Sequence, residues 1–263
     1  MSVLLLIAPY AFGISLLTLF TGFGLGTLLL PAFAVFFPVE LAIAMTAVVH
    51  AANNLFKVGL LARDARRDVV MRFGVPAVAA SFVGALILTA LAQGDALHTW
   101  QFLGRPAEIT PVKLMAGALV LGFSLFELVP SLREWRAPVR FLPLGGALSG
   151  FFGGLSGHQG ALRAAFLTPL GLSPKAFAAT QAVIALLVDG ARLLVYGTGY
   201  VLLRGSAAAA EIPWAPVVVA SLAAFAGAYL GKRWLEKVTI TGLRRLVGIL
   251  LLVVGTALVL GVA

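Results

Sequence analysis

Several stretches of this chain run eighteen residues or more with almost no charge; Val75 to Gln93, for example, carries none. Such a run is long enough to cross a hydrocarbon core about 30 Å thick as a helix. A soluble domain could not hide the apolar surface that a 61% hydrophobic, 11% charged composition brings. Transmembrane β-barrel strands would show alternating segments of about ten residues, and none appears. The class is therefore an all-α polytopic membrane protein. Cysteine is absent, which excludes disulfides, thiolate catalysis and cysteine-held metals. The net charge of +9 reads as Lys and Arg in cytoplasmic loops rather than as a nucleic-acid surface. The opening "MSVLLLIAPYAFG" has no basic n-region and no small-residue cleavage site, so it is read as mature protein rather than a signal peptide.

Apolar helices are expected at 3–21, 25–37, 39–61, 69–91, 112–130, 141–156, 160–172, 174–200, 213–234 and 243–262. Two of them, 25–37 and 160–172, are too short to span. Each follows a glycine-rich break, "TGFGLGT" at 21–27 and "GGLSGHQG" at 153–160, and each precedes a proline, Pro38 or Pro174. A shift of 135 or 136 residues carries Gly24 onto Gly160, Pro38 onto Pro174, and Thr46, Asn54 and Lys57 onto Gln181, Asp189 and Arg192. "PAVAAS" at 76–81 matches "PVVVAS" at 216–221 with a shift of 140. The expected organisation is a first membrane repeat, 1–130, a basic linker, 131–140, and a second membrane repeat, 141–263. Each repeat has a Gly-broken helix pair, re-entrant or fully crossing, followed by three transmembrane helices.

Basic residues set the orientation. Arg63, Arg66, Arg67 and Arg72, the linker's Arg133, Arg136 and Arg140, and Lys232, Arg233, Lys237, Arg244 and Arg245 mark three cytoplasmic loops. The loops at 92–113 and 201–212, with only Arg105, Lys113 and Arg204, are expected outside, with both termini. Helix 39–61 then runs inward and its mate 174–200 outward, so the two repeats are inverted. Inverted repeats with broken helices at equivalent places are a transporter signature, and the breaks mark the substrate site.

A helix amino end leaves backbone N–H groups unpaired, and in hydrocarbon each costs several kcal/mol if left bare. An anion satisfies them, aided by the helix dipole. Gly24, Gly26 and Thr27 in the first break, and Gly157, His158, Gln159 and Gly160 in the second, are the candidate cradle. Arg163, on the first turn after the second break, is expected to fork onto the oxyanion. The competing reading of the glycines is close helix packing. A second constellation is a stripe: Thr46, His50, Asn53, Asn54 and Lys57 recur on one helical face, and Gln181, Asp189 and Arg192 line the mate. Lys57 and Arg192 are expected to set a positive field at the substrate. His50, Asn53, Asn54, Gln181 and Asp189 are supporting or coupling residues, with Asp189 holding Arg192 and able to exchange a proton. Bland roles compete: an i,i+3 ion pair for Asp189 and Arg192, snorkelling for Lys57, and a packing role for His50. Glu127 reads as interfacial, and His98 and Trp100 as anchors of the outer loop. Lys57, Arg163 and Arg192 against Asp189 leave an excess of positive charge that suits an anion.

"TGFGLGTLLLP", "ALSGFFGGLSGHQGALRAAFL" and "DGARLLVYG" resemble the sulfite exporter TauE/SafE family of bacterial membrane permeases over nearly the whole chain. That resemblance implies export of sulfite, sulfoacetate or other short sulfonates across the inner membrane. The expected partners are such an anion and the lipid bilayer, with no cofactor, no metal, no nucleic acid and no enzymatic activity. An importer of small oxyanions is the alternative. A membrane enzyme is the remote one, since it would need acidic or metal-ligand clusters that ten Asp and Glu, mostly in loops, do not supply.

Overall fold

The computed structural model describes residues 3–21, 25–134, 137–204, 213–232 and 241–262. The helices are α1 Val3–Thr21, α2 Leu25–Ala34, α3 Val39–Leu61, α4 Arg67–Val69 and α5 Val75–Leu91, the last two joined by a π turn, Val70–Gly74. They continue with α6 Pro111–Leu128, the short α7 Pro130–Glu134, α8 Leu142–Ser156, α9 Gly160–Leu167, α10 Pro174–Arg204, α11 Trp214–Lys232 and α12 Thr241–Val259. Among the described residues, Val39–Asp64, Arg67–Leu91, Pro174–Gly199 and Trp214–Gly231 are long and apolar enough to cross a membrane, and four shorter apolar helices accompany them. The protein is a multi-pass, helical membrane protein.

Local chemistry sets the boundaries. Thr110 caps α6, its hydroxyl accepting from the Lys113 amide at 3.2 Å, and Pro111 takes the first helical position. Pro76 has no amide to offer the turn before it, and the π turn lies there. α8 ends where Gly157 turns left-handed, φ 83°, and its amide closes on the Gly153 carbonyl at 2.9 Å. The helices expected at 25–37 and 160–172 are shorter in the structure. α2 stops at Ala34, and α9 gives way at Leu167 to a 3-10 turn, Thr168–Leu170, that contains Pro169 and is closed by Gly171 at φ 60°.

The loop between α5 and α6 carries structure that helical periodicity does not announce. Strands β1 His98–Phe102 and β2 Arg105–Ile109 form an antiparallel hairpin. Its two-residue turn, Leu103-Gly104, has positive φ at both positions, 50° and 77°, the hand that matches strand twist. Trp100 Nε1 donates to the Leu260 carbonyl at 2.9 Å, and the Glu108 amide donates to the Gly261 carbonyl at 3.2 Å. Lys113 Nζ adds a bond to Gly261 at 3.3 Å. Trp100 is thus an anchor, as read from sequence, and what it holds is the segment just beyond α12.

Four pairings build the bundle: α1 on α11, α5 on α8, α6 on α12 and α3 on α10. The α5–α8 seam is cut for glycine. A β-carbon on Gly146, Gly150 or Gly154 would collide with the carbonyl oxygen of Phe73, Ala77 or Ser81 respectively. Three glycines four residues apart therefore meet three carbonyls four residues apart, which is close packing of small residues in a membrane helix pair. For these glycines the packing reading holds. Gly150→Ala is expected to lower stability by about 1–3 kcal/mol through overpacking, read as a lower unfolding temperature in detergent. Gly122→Ala, on an open face of α6 with nothing within 4 Å, is expected to leave that temperature unchanged or raise it slightly.

Candidate functional site

The second break is real: α8 ends at Ser156, α9 begins at Gly160, and 157–159 lie between them. For the first break, α1 ends at Thr21 and α2 begins at Leu25, while Gly24 falls outside the described residues. Gly26 and Thr27, on the first turn of α2, are buried. A β-carbon on Gly26 would lie 3.3 Å from the Gly157 carbonyl oxygen and 3.4 Å from His50 Cδ2. The amino end of α2 therefore meets the second break beside the His50 ring, and a side chain at position 26 would crowd both.

Asp189 gathers the surrounding polar groups. It is fully buried, and its Oδ2 lies 2.7 Å from His50 Nδ1 and 3.0 Å from the donating Asn54 Nδ2. Its Oδ1 accepts from Gln159 Nε2 at 3.2 Å and lies 2.9 Å from Arg192 NH2. The i,i+3 pair read from sequence exists, but it is one contact among four.

Gln159 extends the network by accepting from Arg163 NH1 at 3.0 Å, and Arg163 Nε donates to Gln181 Oε1 at 2.8 Å. Its backbone carbonyl accepts from Ser149 Oγ at 2.9 Å and from the Arg163 amide at 3.1 Å, which fixes the start of α9. Lys57, also buried, lies 3.1 Å from the Asn53 amide oxygen once that amide is turned to face it; the Asn53 nitrogen then donates to the Ala224 carbonyl at 3.3 Å.

The largest fully buried side chain among the described residues is Arg192. Its NH1 donates to the Gly153 carbonyl at 3.4 Å and would lie 2.7 Å from a β-carbon on Gly157. The guanidinium thus lies against the break itself. Sequence placed Arg163 there because it is adjacent in the chain. The structure brings both arginines in, with Arg163 braced by two glutamines and Arg192 directly on the glycine turn. Gly157 and Gln159 spend their amides inside the break, on the carbonyls of Gly153 and Gly157.

Several buried polar atoms have no hydrogen-bond partner among the described residues: Arg192 Nε and NH2, Gln181 Nε2, His158 Nε2 and Thr46 Oγ1. Arg192 NH2 reaches Asp189 as an ion pair without the alignment of a hydrogen bond. A buried polar group left unpaired costs about 1–3 kcal/mol. His158 stacks on Phe123, with ring centroids 5.5 Å apart at 10°, and its Nδ1 lies 2.9 Å from Ser156 Oγ.

Sequence reasoning passed over Ser149, Phe123 and Tyr196, whose hydroxyl donates to the Gly154 carbonyl. Tyr196 lies four residues beyond Arg192 and seven beyond Asp189, so the helical stripe carried the signal. Nothing local marks Ser149 or Phe123. Glu127 is a residue whose side chain lies outside the described set.

Replacing the carboxylate tests this arrangement. Asp189→Asn leaves Arg192 without its counter-charge and is expected to cost about 3–5 kcal/mol, measured by thermal or denaturant unfolding in detergent. Asp189→Asn combined with Arg192→Gln should recover a substantial part of that loss, because neither charge is then stranded.

Neither the curated proteins nor the solved structures include a match to this chain. The family model for the sulfite exporter TauE/SafE family matches residues 7–258. The buried polar centre and the apolar helices around it thus belong to a chain that is, over nearly its whole length, a member of the sulfite exporter TauE/SafE family, a family of membrane transporters.

Proposed function

We propose that this protein is an inner-membrane permease that exports small sulfur-containing anions, such as sulfite or sulfoacetate, by alternating access. The observation that carries the reading is the buried excess of cations on α3, α9 and α10. Among the described residues, Lys57, Arg163 and Arg192 are buried and Asp189 is the one buried carboxylate. Arg192 Nε and Gln181 Nε2 still hold hydrogens that no atom of the described residues accepts. An oxyanion supplies both the missing charge and the missing acceptors. In this reading Gly26, Thr27 and Gly157 keep the approach open, and the amides of His158 and Gly160 complete the cradle. Gln159 and Gln181 orient Arg163, while Lys57 balances the field from α3.

Two inverted repeats, 1–130 and 141–263 with the cytoplasmic linker 131–140 between them, supply the moving parts. The packing supports this. Exchanging the halves turns the α1–α11 pair into the α8–α5 pair, and it returns the α3–α10 and α6–α12 pairs to themselves. The sequence offsets carry Ser15 to Phe151 and Gly84 to Ala224. Ser15 Oγ donates to the Ala224 carbonyl at 2.6 Å, and Gly84 lies against the Phe151 carbonyl. Asn54 and Asp189, which are equivalent positions, bond to each other at 3.0 Å, as residues on a two-fold axis would.

Binding to purified protein is the direct test. Sulfoacetate or sulfite is expected to bind and zwitterionic taurine to be rejected, with sulfate and acetate completing the panel. Arg163→Ala and Arg192→Gln should each weaken binding by about tenfold or more, which is about 1.4 kcal/mol. Undiminished sulfoacetate binding by Arg163→Ala would remove it from the site. In proteoliposomes, an inside-negative potential should speed anion efflux, because each charge moves downhill by about 2.3 kcal/mol per 100 mV. A rate indifferent to the potential would mean a compensating ion travels with the anion.

A further inference from the structure

We infer that the buried polar centre holds two anion stations in series, one on each side of a polar layer, rather than a single site; this deepens the permease reading and rests on it. Register between α3 and α10 defines the layer. His50 and Asn54 of α3 meet Asp189, while the Arg66 amide, just past α3, donates to Thr180 Oγ1 at 3.0 Å. Higher numbers on α3 thus face lower numbers on α10, and the two helices run antiparallel. At their crossing, Gln159 Nε2 and Asn54 Nδ2 both donate to the Asp189 carboxylate, and the His50 ring lies beside Gly26 of α2. These four side chains form one connected layer.

The cations fall on opposite sides of it. Gln159 presents its amide nitrogen to Asp189 and its oxygen to Arg163, and Arg163 in turn donates to Gln181. Gln181 precedes Asp189 by eight residues on α10, about 12 Å along the helix axis. Lys57, past Asn54 on the antiparallel α3, is on this same side, near enough to Arg163 for the two cations to repel each other. Arg192 follows Asp189 and lies on the other side, with NH1 against the Gly157 turn and His158 next in the chain. An anion lying across both groups would press on the Asp189 carboxylate. Each side also keeps a buried donor that no atom of the described residues accepts: Gln181 Nε2 on the first, Arg192 Nε on the second, where His158 Nε2 is unpartnered too. An oxyanion between Lys57 and Arg163 relieves their repulsion and accepts from Gln181. A second, at the Gly157 turn, accepts from Arg192 and lies beside His158.

Equilibrium binding of radiolabelled sulfoacetate to the purified full chain in detergent counts the stations. The parent is expected to saturate at two molecules per chain. Gln181→Glu keeps the oxygen that Arg163 bonds and puts a negative charge where the unpartnered N–H was, so the count should fall to one. His158→Glu sets a carboxylate beside Arg192 and should likewise leave one. The double variant should bind none. Saturation of the parent at one per chain would overturn the two stations and leave an anion permease in place. A folded Gln181→Glu or His158→Glu protein that still takes two, or that takes none, would overturn the division of residues between them. No binding of any anion to the parent would remove the permease reading and this inference together.

Discussion

One buried carboxylate organises the interior. Asp189 draws Asn54 and His50 from α3, Gln159 from the break and Arg192 from its own helix onto two oxygen atoms. An unpaired charge at that depth would be prohibitive, so each partner is held by the cost of leaving. Through Gln159 the constraint reaches Arg163, and through Arg163 it reaches Gln181. The interruption between α8 and α9 is therefore a fixed joint, with its end residue bonded to α10 and its backbone carbonyl bonded to Ser149.

Around that centre the helices are held by shape more than by polarity. The glycines of α8 let its backbone lie directly on the carbonyls of α5. Lipid gives no hydrophobic reason for two helices to associate, so close backbone contact has to supply the attraction. The consequence for the site is positional. α8 is pressed onto α5 on one side, and the Tyr196 hydroxyl of α10 reaches its Gly154 carbonyl on another. The left-handed turn at Gly157 is thereby delivered to one place, against the Arg192 guanidinium.

Much of this was legible in the chain. Long uncharged runs marked the helices, and Gly157 with His158 and Gln159 beside it marked an interruption, because glycine and polar side chains together disfavour an apolar helix. The four-residue spacing from Thr46 to Lys57 put one face of α3 toward the interior, where the structure buries Thr46, His50, Asn53, Asn54 and Lys57. What could not be read was which arginine touches the glycine turn. Arg163 follows Gly157 by six residues and Arg192 by thirty-five, and only the packing of α10 across α8 brings the second one in. Nor could the glycines be sorted. Gly146, Gly150 and Gly154 serve a helix seam, while Gly26 and Gly157 serve an approach between two helix ends, and all look alike as letters. The hairpin at 98–109 was missed because its signal is the turn at Leu103-Gly104 rather than any helical period.

That hairpin has a mechanical consequence. It rises from the start of α6, and its Trp100 indole and Glu108 amide grip the carbonyls just beyond α12. Gly261, at φ 73°, lies so close to the Glu108 carbonyl that no side chain would fit. α6 and α12 are thus clamped at one rim as well as packed along their length. In the alternating-access reading proposed above, this doubly held pair would move as one body and any hinge would lie elsewhere.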